Sequence, residues 1–196
     1  MKYVLFLTLS LILLPIHAQQ NYSFDKERNL INKRLMTGLG SWASVNLISG
    51  GIGWASSQNE TWKSFHQMNF FWNTVNLGLA IPGYFSARNF DDTLSVEKSF
   101  KEQHKTELLF AINSGLDLIY ISSGFLLLNE AQKNKEKVEQ FTGFGRSIIV
   151  QGTGLLIYDL IAYQLHRQHR VKKLNSSKNK VSVYPSAIGV SIRLSL

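Results

Sequence analysis

The chain has 196 residues, enough for one domain by length, and it contains no cysteine, which excludes disulfides, thiolate metal sites and cysteine nucleophiles. Its formal net charge of +8 would suit an anionic partner such as nucleic acid or a lipid surface. The basic residues lie between and beside apolar stretches, without any nucleic-acid motif, which decides against nucleic acid and for charge flanking membrane spans.

The N-terminus reads as a secretory signal. Lys2 supplies the positive region, Val4 to Leu14 form a short apolar run, and Pro15-Ile16-His17-Ala18 ends in a small residue before Gln19. That run is shorter than the ~20 residues an ordinary span needs. Residues 1–18 are therefore expected to be a cleaved signal peptide, with an uncleaved anchor as the alternative, and 19–34 a polar N-terminal segment.

Four later segments, about 35–56, 68–87, 108–128 and 147–165, carry little or no charge. Each is near the length that crosses ~30 Å of hydrocarbon. The first is rich in glycine and serine, including Gly38, Gly40, Gly50, Gly51 and Gly53. Small residues let helix backbones approach closely in lipid, so a bundle is predicted over 35–166 rather than a lone span. A basic linker, 167–180, should follow, with His166 and His169 in an exposed basic stretch. In the tail, 181–196, Ile188, Val190, Ile192 and Leu194 alternate with small or polar residues, a strand pattern after a turn at Pro185-Ser186-Ala187. One or two such strands are too few for an outer-membrane barrel, so a small hairpin or edge strand is expected.

A signal peptide would put 19–34, 88–107 and the tail outside, yet these hold most of the 21 Lys and Arg, and the positive-inside rule wants them inside. The sequence leaves open an uncleaved first helix, a location where the rule does not apply, and a secreted bundle that never spans lipid.

The candidate site comes from polar residues inside the apolar segments. At 100° per residue, Asn69, Asn73 and Asn76 fall within an arc of about 60°, and His66 extends it by about 20°. Asn113, Asp117 and Tyr120 form a matching stripe in the third segment. Gln151, Tyr158 and Asp159 share a face in the fourth, and Asn46 lines up with Trp42, Gly50 and Gly53 in the first. In an up-down bundle, Asn46, Asn76 and Asp117 come to roughly the same depth, with Asn73 and Asp159 within about 5 Å of that layer.

Asparagine and glutamine often cross-link membrane helices without binding anything. The two aspartates differ, because a carboxylate at bilayer depth is costly; they suit either a satisfied, protonated structural network or a proton or cation relay. His66 reads as a hydrogen-bonded cap near an interface, and no second histidine stands at a metal-ligand spacing within the segments. No nucleophile elbow, triad pattern or phosphate-cradling loop occurs. The glycines of Gly143-Phe144-Gly145-Arg146-Ser147 should start the fourth helix and allow close packing. No metal, cofactor or catalytic residue is expected, and the enzyme reading is the minority one.

Taken together, His66-Gln67-Met68-Asn69 with Trp72-Asn73 and Asn76, Asn113-Ser114-Gly115-Leu116-Asp117 with Tyr120, and Gly143-Phe144-Gly145-Arg146-Ser147 with Gln151-Gly152 and Asp159 resemble an uncharacterised family of bacterial membrane proteins known only as a domain of unknown function. The resemblance runs from about 35 to 169 and implies a signal sequence plus helical spans; it lends no activity. The expectation is thus an all-α, four-helix transmembrane bundle of the bacterial envelope, in the inner membrane. Membrane lipid is its first partner. Its interior is expected to bind or pass a small polar solute or ion; the alternative is a non-catalytic scaffold contacting another envelope protein.

Overall fold

The computed structural model describes the backbone of residues 2–89, 94–178, 181–186 and 189–194, and the side chains of 24–89 and 94–175. Its elements are α1 (Lys2–Ser56), α2 (Glu60–Arg88), α3 (Val96–Lys133), α4 (Val138–Lys178), β1 (Val181–Ser186) and β2 (Gly189–Leu194). The two strands form an antiparallel hairpin in which Val183 faces Ile192. The predicted signal peptide falls on residues whose side chains lie outside the described set; their backbone from Lys2 onward belongs to α1.

Capping chemistry sets the helix starts. The Asn59 side chain accepts from the Trp62 amide at 3.0 Å to open α2, and Ser95 Oγ accepts from the Lys98 amide at 3.4 Å to open α3. Glu60 and Glu97 occupy the positive first turns, and Arg88 and Lys133 the negative last turns. The short connections at 57–59 and 134–137 leave room only for antiparallel helical hairpins. At the second, Asn134 Oδ1 accepts from the Lys137 amide at 3.1 Å.

α1 packs on α2, α3 on α4, and the two pairs join through α2 and α4. α2 and α3 do not pack backbone to backbone, and α1 only brushes α3 and α4. The helices thus run α1–α2–α4–α3, and the space between α2 and α3 becomes the cavity described below. Glycines make the closest seams. A Cβ added at Gly124 would lie 2.7 Å from Ile149 and 2.8 Å from the Gly145 carbonyl, and one at Gly50 would lie 3.0 Å from the Phe70 amide nitrogen. Gly143 lies against Thr61 and Ser64 of α2. The glycines of 143–145 pack closely as expected, but α4 begins at Val138, a turn earlier than they suggested.

The interior is inverted relative to that of a water-soluble bundle. Among the described residues the buried apolar cluster is Leu35, Phe110 and Ala162 with partly buried neighbours, and four of the other seven buried apolar side chains, Ala43, Ala80, Ala87 and Ala131, are alanines. The buried side chains include Asn69, Asn73, Asn76, Gln103, Glu107, Asp117, Gln151, Asp159 and His166. Val45, Ile48, Phe71, Val75, Ile119, Leu126, Ile157 and Ile161 point outward, each more than half exposed. α3 and α4 are long and apolar enough to cross a membrane. At 1.5 Å per residue the 38 residues of α3 span about 57 Å, well beyond a hydrocarbon core. The excess lies at the N-terminal end of α3 and the C-terminal end of α4, where most of the expected linker continues as helix to Lys178.

Candidate functional site

Three polar clusters follow one another along the interior. The first is an amide network joining α1, α2 and α4. Gln151 Oε1 accepts from Trp42 Nε1 at 3.3 Å and from Asn73 Nδ2 at 3.2 Å. Gln151 Nε2 donates to Asn46 Oδ1 at 3.3 Å and to Asn69 Oδ1. Asn69 Nδ2 donates to the Asn46 carbonyl at 3.2 Å, Asn73 Nδ2 to the Asn69 carbonyl at 2.8 Å, and Asn76 Nδ2 to Asn73 Oδ1 at 3.4 Å. Both polar atoms of Gln151 are thereby satisfied in a buried setting, where unmade bonds are costly.

The second cluster surrounds a cavity of about 430 Å³ between α2, α3 and α4, lined by Trp72, Asn76, Asn113, Asp117, Tyr120, Tyr158 and Asp159 among leucines and Val75. Asp117 and Asp159, both buried, meet side chain to side chain across the α3–α4 seam. A hydrogen bond between two carboxyls needs at least one proton, so the pair then carries at most one negative charge. Asp117 Oδ2 and the Tyr158 hydroxyl have no further partner among the described residues. Trp72 and Tyr120 close the α2–α3 side with an edge-to-face contact, ring centroids 4.9 Å apart. A second space of about 430 Å³ shares Leu39, Leu79, Asn113, Tyr158 and Asp159 with the first and leads toward Asn29, Asn32, Ser86 and Thr106.

The third cluster lies past the apolar segments, where α1, α3 and α4 meet. Arg170 Nε donates to both oxygens of buried Glu107, at 2.9 and 3.0 Å, and this bond raises the Arg170 pKa further. Gln103 Nε2 donates to Glu107 Oε1 at 3.1 Å and to the His166 carbonyl at 2.8 Å. Arg28 pairs with Asp25 at 2.9 Å and donates to the Ser99 carbonyl at 3.0 Å, while Ser99 Oγ donates to Asp25 Oδ2. His169 stacks on Phe24, centroids 4.4 Å apart, and lies 3.1 Å from its carbonyl through Nε2. A carbonyl only accepts, so Nε2 carries the proton. His166, one residue past the fourth apolar segment, stacks on Phe110, and neither ring nitrogen has a partner among the described residues. Burial, and next the nearby His169, push its pKa down to about 4. Burial likewise lowers His169.

The expected single layer is therefore two. Asn46, Asn69, Asn73 and Gln151 form the amide network; Asn113, Asp117, Tyr120 and Asp159 line the cavity; Asn76 touches both. His66 joins neither. It sits inside α2 against Gly53 and is not the cap, a role taken by Asn59. His166 and His169 are buried rather than exposed, because α4 continues unbroken and His166 lies two turns beyond Asp159 on the same face. The third cluster had a readable signal. Ser99, Gln103, Glu107, Phe110, Ser114 and Asp117 recur every three or four residues and are all buried.

Residues 38–160 match the model of the Family of unknown function (DUF6992), and the chain belongs to that family. No curated protein and no solved structure matches it. The matched stretch contains the amide network and the carboxyl cavity, and leaves Asp25, Arg28, His166, His169 and Arg170 outside.

Proposed function

We propose that all four helices span a lipid bilayer and that the interior binds or passes a small polar solute or ion. The observation that carries this reading is the cavity with its carboxyl pair inside an inverted bundle. Polar groups face inward and large apolar side chains outward, an arrangement that is unfavourable in water and favourable in hydrocarbon. A buried carboxyl pair beside a cavity, with one oxygen that has no partner among the described residues, is costly to keep at that depth without a use. In this reading residues 1–18 are a signal peptide for export to the bacterial envelope and the bundle resides in the inner membrane. Intact mass of the membrane-extracted chain should then correspond to a start at Gln19.

Reconstitution into liposomes tests the function. Solute- or proton-linked flux should depend on the carboxyl pair and fall at least tenfold in the Asp117→Asn, Asp159→Asn double variant. The self-contained amide network supports a second reading, a scaffold for an envelope complex, since those bonds need no ligand. A scaffold would show no flux and a stable co-purifying partner.

A further inference from the structure

The geometry points to an organic monocation, an ammonium ion carrying an apolar body, as the ligand of the cavity formed by Trp72, Asn76, Asp117, Tyr120, Tyr158 and Asp159. This rests on the binding reading above and names the chemistry it would take. Three observations converge. The two carboxyls meet side chain to side chain and carry at most one negative charge while they share a proton, and no Lys or Arg lines the cavity to neutralise it. Asp117, which lines the cavity, is 3% exposed, and its buried Oδ2 has no partner among the described residues.

Apart from Asn76 and Asn113, the rest of the lining is aromatic and aliphatic. Trp72 and Tyr120 stand together beside the carboxyls, and ring faces attract quaternary or primary ammonium groups. Leu39, Val75, Leu79, Leu116 and Leu155 supply the apolar wall. A hard inorganic cation such as Ca²⁺ or Mg²⁺ is held by a full shell of oxygen ligands and makes no use of leucine walls or ring faces. An alkylammonium needs only one counter-charge, ring faces and apolar walls. The space, about 430 Å³, falls in the range of small-molecule sites.

The test uses the full chain in an uncharged maltoside detergent and two probes of the same shape: choline, and 3,3-dimethyl-1-butanol, in which carbon replaces the nitrogen. Equilibrium dialysis should show choline bound at least tenfold more tightly than the neutral isostere. The Asp117→Asn, Asp159→Asn double variant should lose that preference, and Trp72→Leu, which leaves the carboxyls intact, should weaken choline severalfold. Equal binding of both probes would overturn the inference while leaving a binding interior in place. Sodium bound in a carboxyl-dependent way, without choline, would likewise overturn it and preserve the ion-binding reading. No binding of any probe, together with no liposome flux, would overturn both. If the double variant fails to fold, the wild-type comparison of the two probes and the Trp72→Leu variant still decide the matter.

Discussion

Replacing Gln151 by leucine is the sharpest test of what holds the helices together. Gln151 is almost completely buried and makes four side-chain hydrogen bonds, to Trp42 and Asn46 of α1 and to Asn69 and Asn73 of α2. Interhelical hydrogen bonds within a membrane contribute about 0.6–2 kcal/mol each. These four share two atoms of one side chain, so they do not add fully. Their joint loss, with the Asn69 and Asn73 amides left short of partners, should cost about 2–4 kcal/mol. Asn76→Ala, which removes a single 3.4 Å bond at the end of the network, should cost less than about 1 kcal/mol. Thr153→Leu, on the exposed side of the same helix, is the control. Circular-dichroism melts in detergent read all three. If Gln151→Leu melts with Thr153→Leu, the network is not what joins α4 to the first hairpin.

Gly50→Leu should lower the melting midpoint strongly, because even a Cβ there would lie 3.0–3.2 Å from the Phe70 and His66 backbone, which cannot swing aside. Arg170→Leu should cost about 3 kcal/mol by leaving buried Glu107 without its counter-charge, and adding Glu107→Gln should recover part of it in the same melts. For His166, the folded pKa of about 4 lies below the ordinary imidazole value of 6.5, so the unfolded chain binds more protons between those values. Its contribution is fully present above pH 6.5 and is lost as pH falls toward 4, up to about 3 kcal/mol. The difference in stability between wild type and His166→Phe, measured across that window, should carry this slope; a pH-independent difference would refute it.

The inner faces of the four helices were legible because each polar stripe interrupts an otherwise apolar segment, which makes Asn69, Asn73, Asn76 and Asp117 stand out. Their partners were less so. Depth alone grouped Asn73 with the aspartates, whereas the α2–α4 crossing brings it to Gln151 instead. The wide separation of α2 and α3, which opens the cavity, depends on helix order and leaves no pattern in any one segment. The end cluster was hidden for a simpler reason. Stopping each helix at the thickness of a bilayer cut Gln103 and Glu107 from the stripe that leads to Asp117, and cut His166 and Arg170 from the face of Asp159. Charged residues looked like connectors because sequence cannot show that Arg170 and Glu107 neutralise each other across a seam.

Nitroxide accessibility in liposomes tests the central claim, an inverted bundle with every helix in lipid, most directly. The chain has no cysteine, so single labels can be placed at outward-facing Val45, Val75, Ile119 and Ile157, one on each helix, and at inward-facing Asn76. All four outward labels should collide freely with oxygen and scarcely with a water-soluble nickel chelate, while Asn76→Cys is protected from oxygen relative to them. Strong collision with the nickel chelate at Val45 or Val75 would place α1 or α2 in water and contradict the four-helix membrane domain.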